Sequence, residues 1–249
     1  MKYLPFLFLL FHSPLHAQDT PAAGKDSKDL TVQQKDFLNL PEEERGKFIA
    51  KFEEASRFFQ QKRIFECLDA LNEAEKVFAD SAELLNLRGS CYVEMRAFDK
   101  ASEAFGKAVE IAPKNDSIRF NIAEVLFVTK KWKEALDLFE SIIKAIPEDN
   151  KSLARLVEFK ILLCKKKLGL HDEVLILAEK YDYQDDSPYY YYAQAALAYD
   201  KKDLLEAEQW LARARRIFTD PNVTAPWQDT LVEFGYIKSF YGDDDPVVE

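Results

Sequence analysis

Residues 82–115 read AELLNLRGSCYVEMRAFDKASEAFGKAVEIAPKN, and residues 116–149 read DSIRFNIAEVLFVTKKWKEALDLFESIIKAIPED. The two stretches have the same length, 34 residues, and they align without a gap. Three residues of the first stretch recur at the same position of the second: Ala101, Phe105 and Pro113 return as Ala135, Phe139 and Pro147. A fixed period of this length indicates that the chain repeats one supersecondary unit.

Apolar residues within each repeat follow the period of a helix. The second half of residues 82–115 places apolar side chains at Ala101, Ala104, Phe105, Ala108 and Val109. This spacing of three and four residues forms one face of a helix. A proline stands near the end of each of the two repeats. Because proline cannot continue a helix, it marks the end of the second helix of the repeat. Each repeat is therefore predicted to be an antiparallel helix pair joined by a short turn.

When the chain is aligned with a period of 34 residues, small and large apolar residues recur at equivalent positions on both sides of these two copies. They predict further repeats at about 48–81, 150–185 and 188–218, and a closing helix at 226–241 that begins at Pro226. The repeat at 150–185 has a longer first helix, and the sequence leaves its register open. Together these elements predict a helical array over residues 41–241.

The pattern resembles the tetratricopeptide repeat (TPR), with its Ala-x-x-x-Phe motif and terminal proline. The resemblance covers about residues 48–218. It implies an all-α fold, a right-handed superhelical solenoid of about five antiparallel helix pairs with a C-terminal capping helix. Leu85 and Arg119 depart from the large residue that the family places early in the first helix, so a variant packing is expected there.

The N-terminus, MKYLPFLFLLFHSPLHA, has the layout of a secretory signal peptide. Lys2 precedes an apolar run from Leu4 to Phe11, and Ala17 stands at a small-residue cleavage position. We predict that residues 1–17 are removed and that the protein is exported to a periplasmic or extracellular space, in preference to an uncleaved anchor. The apolar run is shorter than the roughly 20 residues that span a bilayer, so no direct membrane span is expected. Residues 18–40 are predicted to be a flexible leader, and residues 242–249 an acidic tail.

Charge and cysteine content exclude some classes of partner and of fold. The formal net charge is −10, and removal of residues 1–17 would lower it to −11 because Lys2 is the only charged residue lost. A protein with this negative net charge repels nucleic acid and anionic lipid. Cys67, Cys91 and Cys164 are too few for a disulfide framework. One bridge is conceivable in an oxidising compartment, but we interpret the three as small buried apolar residues.

Few residues are suited to catalysis. After removal of residues 1–17, His171 is the only histidine, and it stands in a turn beside Gly169. A catalytic triad or a histidine metal site would depend on that one residue. The sequence also has no glycine-rich phosphate loop. We therefore expect a protein that is not an enzyme, with no catalytic, cofactor-binding or metal-binding residues and no cofactor.

The TPR resemblance implies a concave groove, lined by the first helices, that takes an extended peptide or a helix. Carrying the family pattern over column by column assigns these residues to the groove: Phe52, Phe59, Glu83, Asn86, Glu94, Phe120, Glu124, Phe127, Tyr189, Tyr192 and Tyr199. The same register assigns two of the four consecutive tyrosines, Tyr189 and Tyr192, to the groove. The other two, Tyr190 and Tyr191, are expected to pack within the chain. Aromatic rings with acidic neighbours predict a partner segment that is apolar with basic residues.

The function predicted from these features is an exported, non-catalytic TPR scaffold that binds a peptide or helix of a partner protein in its groove. The alternative is a structural subunit of an envelope or outer-membrane assembly. In that alternative the groove is occupied by the chain's own N-terminal segment or by a fixed partner. The two differ in whether the groove is open in the isolated protein.

Overall fold

A computed structural model of the chain describes residues 31–238, and this part of the chain is all-α, with no strand. Its helices are α1 (Val32–Asn39), α2 (Glu42–Gln60), α3 (Ile64–Glu75), α4 (Ala82–Glu94), α5 (Phe98–Ile111), α6 (Asp116–Val128), α7 (Trp132–Ile142), α8 (Lys151–Lys167), α9 (His171–Ala178), α10 (Tyr189–Asp200), α11 (Leu204–Ile217) and α12 (Pro221–Phe234). The all-α fold class predicted from the repeat is confirmed. The predicted signal peptide and acidic tail lie outside the described residues.

Five helix pairs follow one another from α2 to α11, one pair for each predicted repeat, although α2 begins at Glu42, before the predicted start of the first repeat at about residue 48. The first helix of the fourth pair, Lys151–Lys167, is longer than the 13-residue first helices of the two preceding pairs. Small residues lie where the helices of a pair touch. Ala101 and Ala135 have no exposed surface. A Cβ atom added to Gly89 would lie 2.4 Å from the ring of Phe105, so only glycine fits this crossing.

The turn inside each pair contains one residue with positive φ. These residues are Lys62, Arg96, Lys130, Gly169 and Lys202, with φ between 56° and 75°. A left-handed conformation costs a non-glycine residue roughly 1 kcal/mol. The same backbone conformation therefore recurs in the turn of every pair. Only the fourth pair has a glycine at this position.

The segment predicted as a flexible leader, residues 18–40, contains helix α1. Thr31 and Gln34 form a reciprocal capping box at its start, with Gln34 N donating to Thr31 Oγ1 at 3.2 Å and Thr31 N donating to Gln34 Oε1 at 3.0 Å. The ring of Phe37 packs against Phe48 at 5.2 Å between centroids. The leader prediction is therefore wrong from Val32 onward, because a cap and one aromatic anchor suffice to order a short polar helix.

The last helix begins earlier than predicted. Asp220 caps it by accepting a hydrogen bond from Asn222 N, and Pro221 occupies the first turn, where its missing N–H costs nothing. Pro226, predicted as the start, lies inside α12. The helix ends at Gly235, whose φ of 91° is left-handed.

The described chain divides between Val125 and Leu126 into two compact parts, here called the N-terminal half and the C-terminal half. The N-terminal half has a core around Phe48, Phe52, Phe59, Leu71 and Cys91. The C-terminal half buries Phe159, Tyr189, Tyr192, Trp227 and Leu231. The division falls inside α6, so the predicted groove residues of the two halves are described separately below.

Candidate functional site

The aromatic residues predicted to line the groove are buried. In the N-terminal half these are Phe52, Phe59 and Phe120, and in the C-terminal half Phe127, Tyr189, Tyr192 and Tyr199; none is more than 8% exposed. Their prediction as exposed anchors for a partner is therefore wrong. The physical reason is that other side chains of the same chain already cover them, which the contacts in the C-terminal half show in detail.

Trp227 of α12 fills the space between α8 and α10. Its ring lies 5.4 Å from Phe159, 5.7 Å from Tyr192 and 6.3 Å from Tyr189, measured between centroids. The Tyr192 hydroxyl donates to the carbonyl oxygen of Thr224 at 3.4 Å. Two of the predicted anchors are thus bound by the chain's own C-terminal helix.

Tyr189 also makes a hydrogen bond to helix α9. Its hydroxyl donates to the carbonyl oxygen of Leu177 at 2.9 Å. Burial raises the pKa of both Tyr189 and Tyr192 well above the usual tyrosine range. Both hydroxyls therefore remain protonated donors within the core.

The end of α12 covers Phe127 and the C-terminal part of α8. Phe234 stacks on Phe127 at 6.2 Å and meets Trp132 at 5.4 Å. The ammonium group of Lys160 pairs with Glu233 at 3.3 Å and lies 4.7 Å from the centre of the Phe127 ring. Each of these contacts lies inside the C-terminal half.

Tyr199 is covered by the residues that follow α12. Its ring stacks on Tyr236 at 5.2 Å, and its hydroxyl donates to Glu208 Oε1 at 2.8 Å. The C-terminal helix was predicted only to close the last pair. It instead packs across the first helices of the C-terminal half, so the face predicted to bind a partner is part of the core.

The two remaining tyrosines of the run 189–192 pack as the sequence predicted. Tyr191 is buried, with its ring 6.2 Å from Phe218. Tyr190 lies 5.6 Å from Trp210 on the neighbouring helix α11. All four tyrosines are therefore packing residues, and the run is not an exposed aromatic patch.

The polar residues predicted for the groove have a different environment. Glu83, Asn86 and Glu94 lie on α4 of the N-terminal half and are partly exposed. Lys62 Nζ contacts Glu94 Oε1 at 2.8 Å, and the Ser81 hydroxyl donates to Glu83 Oε2 at 2.9 Å. We call Glu83, Asn86 and Glu94 the polar strip. Carboxylate and amide groups of this kind can bind basic side chains or peptide groups.

Helix α6 places two further polar residues in the N-terminal half. Asn121 Nδ2 donates to Asn86 Oδ1 at 2.9 Å, so the amide of the polar strip is held by a second amide. Asn121 is only 1% exposed and Glu124 is also buried. The sequence comparison identified Asn86 and Glu124 but missed Asn121, because the two asparagines are 35 residues apart and the repeat has a period of 34.

Among residues 31–238, no three histidine, cysteine, aspartate or glutamate side chains are grouped so that they could hold a metal ion. His171 is exposed at the start of α9. No described helix has both the length and the apolar composition needed to cross a bilayer.

Comparison with known proteins identifies the type of repeat. The family model of the Intraflagellar transport protein 70 C-terminal domain matches residues 4–163. No curated protein matches the sequence.

Three solved structures illustrate the similarity in fold. YrrB, described as a TPR protein with an unusual peptide-binding site, is 19% identical over 80% of this chain and 97% of its own, with a TM-score of 0.52. MamA MSR-1 is 18% identical over 68% of this chain and 95% of its own, with a TM-score of 0.52. PilF of Pseudomonas aeruginosa is 15% identical over 78% of this chain and 94% of its own, with a TM-score of 0.53. These likenesses show a TPR fold.

Proposed function

The chain belongs to the family of the Intraflagellar transport protein 70 C-terminal domain, and we propose that it is a TPR scaffold that binds a segment of a partner protein. Within each half the first helices of successive pairs pack against each other, α2 against α4 and α8 against α10. Neighbouring first helices are the elements that TPR arrays expose to a peptide. The solved relative YrrB, described as having a peptide-binding site, supports a peptide as the ligand class.

The binding surface that we propose is the polar strip of the N-terminal half. The observation that carries this choice is the contrast in burial. Glu83, Asn86 and Glu94 keep part of their surface exposed, whereas the aromatic rings predicted beside them are covered. A partner would contact carboxylate and amide groups on α4, over a base of buried phenylalanines.

The chemistry of the strip favours a basic partner segment. Two carboxylates on one helix attract lysine or arginine side chains, while the Asn86 amide is suited to the backbone of an extended or helical peptide. We therefore propose a protein or peptide partner that combines basic and apolar residues, with no nucleic acid, no cofactor and no catalytic step. Because the attraction is electrostatic and partly solvated, binding is expected to weaken as salt rises.

Neutralising the strip provides the test of this surface. Peptides are selected from a random display library on the full chain, and their affinities are measured by fluorescence anisotropy at low and at physiological salt. The double variant Glu83→Gln/Glu94→Gln is expected to weaken binding about tenfold, because each partly exposed charge pair contributes up to about 1 kcal/mol. Selected peptides are expected to be enriched in lysine and arginine.

The matched control carries the same change of charge on a second helix. Glu103→Gln/Glu110→Gln alters two exposed carboxylates of α5 and is expected to leave affinity unchanged. Thermal melting of each variant checks that the fold is intact. If the two double variants bind alike, the partner surface is not the polar strip.

We also propose that the protein is exported, on the basis of the Lys2, Leu4 to Phe11 and Ala17 layout. The mature chain is then expected to begin near Gln18 and to be recovered from a periplasmic or extracellular fraction. N-terminal sequencing of the protein from fractionated source cells is the measurement. A cytoplasmic protein that begins at Met1 would refute export without affecting the proposed binding surface.

One observation favours a second function, that of a structural subunit in an envelope assembly. Trp227 and Phe234 of α12 already occupy the face of the C-terminal half that was predicted to bind a partner. A protein whose first helices are filled by its own chain needs no ligand there to be stable. The occupant is the C-terminal helix, whereas the N-terminal segment considered from the sequence lies, up to residue 30, outside the described residues. Failure to select any peptide in the display experiment would favour this function.

A further inference from the structure

Two of the three cysteines meet in the core of the N-terminal half. Cys67 lies on α3 and Cys91 on α4, and their Sγ atoms are 3.2 Å apart. Neither side chain has exposed surface. Since α3 ends the first helix pair and α4 begins the second, this sulfur contact joins adjacent pairs. Cys164 lies on α8, in the other half of the chain.

The two sulfur atoms are already close to bonding distance. A disulfide has an S–S bond of about 2.05 Å, so the two sulfurs would need to approach by only about 1 Å. The helices α3 and α4 pack directly against each other, which holds the two side chains in register. Among three scattered cysteines, the fold thus selects one pair out of three combinations.

We propose that Cys67 and Cys91 form a disulfide when the chain folds in the presence of an oxidised disulfide donor. The donor class is oxidised glutathione or the active-site disulfide of a thiol oxidoreductase. One cysteine thiolate attacks the donor and releases its first thiolate; the second cysteine thiolate then attacks the mixed disulfide and releases the other. The two protons lost by the cysteines are taken up by the two released thiolates, so the donor is reduced to two thiols as one S–S bond forms in the protein.

Oxidation belongs to the folding process rather than to the folded protein. In the folded chain the hydrogen bond to Cys67, together with burial, raises the pKa of the Cys91 thiol far above its usual value. A thiolate is the reactive species, and a donor cannot reach a fully buried sulfur. The bridge is therefore expected to form before α3 and α4 have closed over the two side chains, and to be protected from reductants afterwards.

The bridge would fasten the first helix pair to the second. The two cysteines are 24 residues apart, and cross-linking over a loop of that length reduces the entropy of the unfolded chain. For a protein of this size the oxidised form is expected to melt on the order of 5–10 °C above the reduced form. This modification goes beyond the proposed binding function and depends neither on the polar strip nor on export.

The test is refolding of the full chain with a mixture of reduced and oxidised glutathione, against refolding in a strong reductant. Both samples are denatured, alkylated and mapped by mass spectrometry. We expect one alkylated cysteine, Cys164, and a cross-linked peptide pair containing Cys67 and Cys91 in the oxidised sample. Three alkylated cysteines are expected in the reduced sample, and the folded reduced protein is expected to react slowly with a thiol reagent.

Two variants separate this pair from the alternatives. Cys164→Ala is expected to retain the cross-link and leave no thiol to alkylate, whereas Cys67→Ala is expected to leave both remaining cysteines free. Three alkylated cysteines after oxidative refolding of the wild type would overturn the proposal and leave Cys67 and Cys91 as inert buried thiols. A cross-link that includes Cys164 would overturn it as well. Because refolding is performed on purified protein, the result stands whether or not export is confirmed.

Discussion

Replacement of Trp227 by alanine is expected to lower the free energy of unfolding by about 3–5 kcal/mol, the usual cost of removing a large buried aromatic side chain. Trp227 is almost completely buried, and its ring contacts Phe159, Tyr189 and Tyr192. Its loss would leave a cavity between α8, α10 and α12, which neighbouring side chains can fill only in part. Urea unfolding followed by circular dichroism measures the loss, and hydrogen exchange of α8 and α10 locates it.

Two milder variants calibrate this result. Trp210→Ala removes the same kind of side chain from a partly exposed position on α11 and is expected to cost less. Tyr192→Phe removes only the hydroxyl that donates to Thr224, and the cost expected is about 1 kcal/mol. If Trp227→Ala were no more destabilising than Trp210→Ala, α12 would not be part of the core.

Replacement of Lys160 by alanine is expected to cost a further large amount, about 3–5 kcal/mol, because it leaves a buried carboxylate without its cation. The side chains of Lys160 and Glu233 are 3% and 9% exposed, and their charged atoms are 3.3 Å apart. The same substitution also removes the ammonium group from the face of the Phe127 ring. Thermal and urea unfolding of the variant measure the effect.

A double substitution distinguishes the cost of leaving one charge unpaired from the net contribution of the buried ion pair. Lys160→Met/Glu233→Leu replaces both charges by apolar side chains of similar size and is expected to recover most of the lost stability, since the desolvation cost disappears with the charges. The exposed pair Lys133 and Asp137, with side chains 69% and 58% exposed, is the control. Lys133→Ala is expected to change stability by no more than about 0.5 kcal/mol. Equal effects of Lys160→Ala and Lys133→Ala would contradict the buried pair.

These two predictions change how a binding experiment must be designed. Substitution of Tyr192 and Phe127 by alanine, which the sequence suggests as a test of groove anchors, removes two core rings covered by α12. Lost binding in such a variant would report unfolding rather than a lost contact. Variants of the polar strip avoid this problem because Glu83 and Glu94 are partly exposed.

The sequence by itself determined the helix pairs, their order and the close contact inside each pair. These properties follow from local patterns, since a 34-residue period, an apolar stripe and a terminal proline act within one repeat. Ala101 and Ala135 illustrate this, because the columns of small residues predicted them at helix contacts and both are completely buried. The sequence also placed Glu83, Asn86 and Glu94 on a first helix, where the structure leaves them partly exposed.

Only the tertiary structure decided which first-helix residues are covered. A position within a repeat fixes the direction of a side chain relative to its own pair, but exposure depends on what packs above it. In the C-terminal half the covering residues come from far along the chain: Glu233 is 73 residues from Lys160, and Thr224 is 32 residues from Tyr192. No repeat pattern relates α12 to the helices that it covers. Tyr189, Tyr192 and Phe127 are therefore core residues because burial is a property of long-range packing, which local periodicity does not specify.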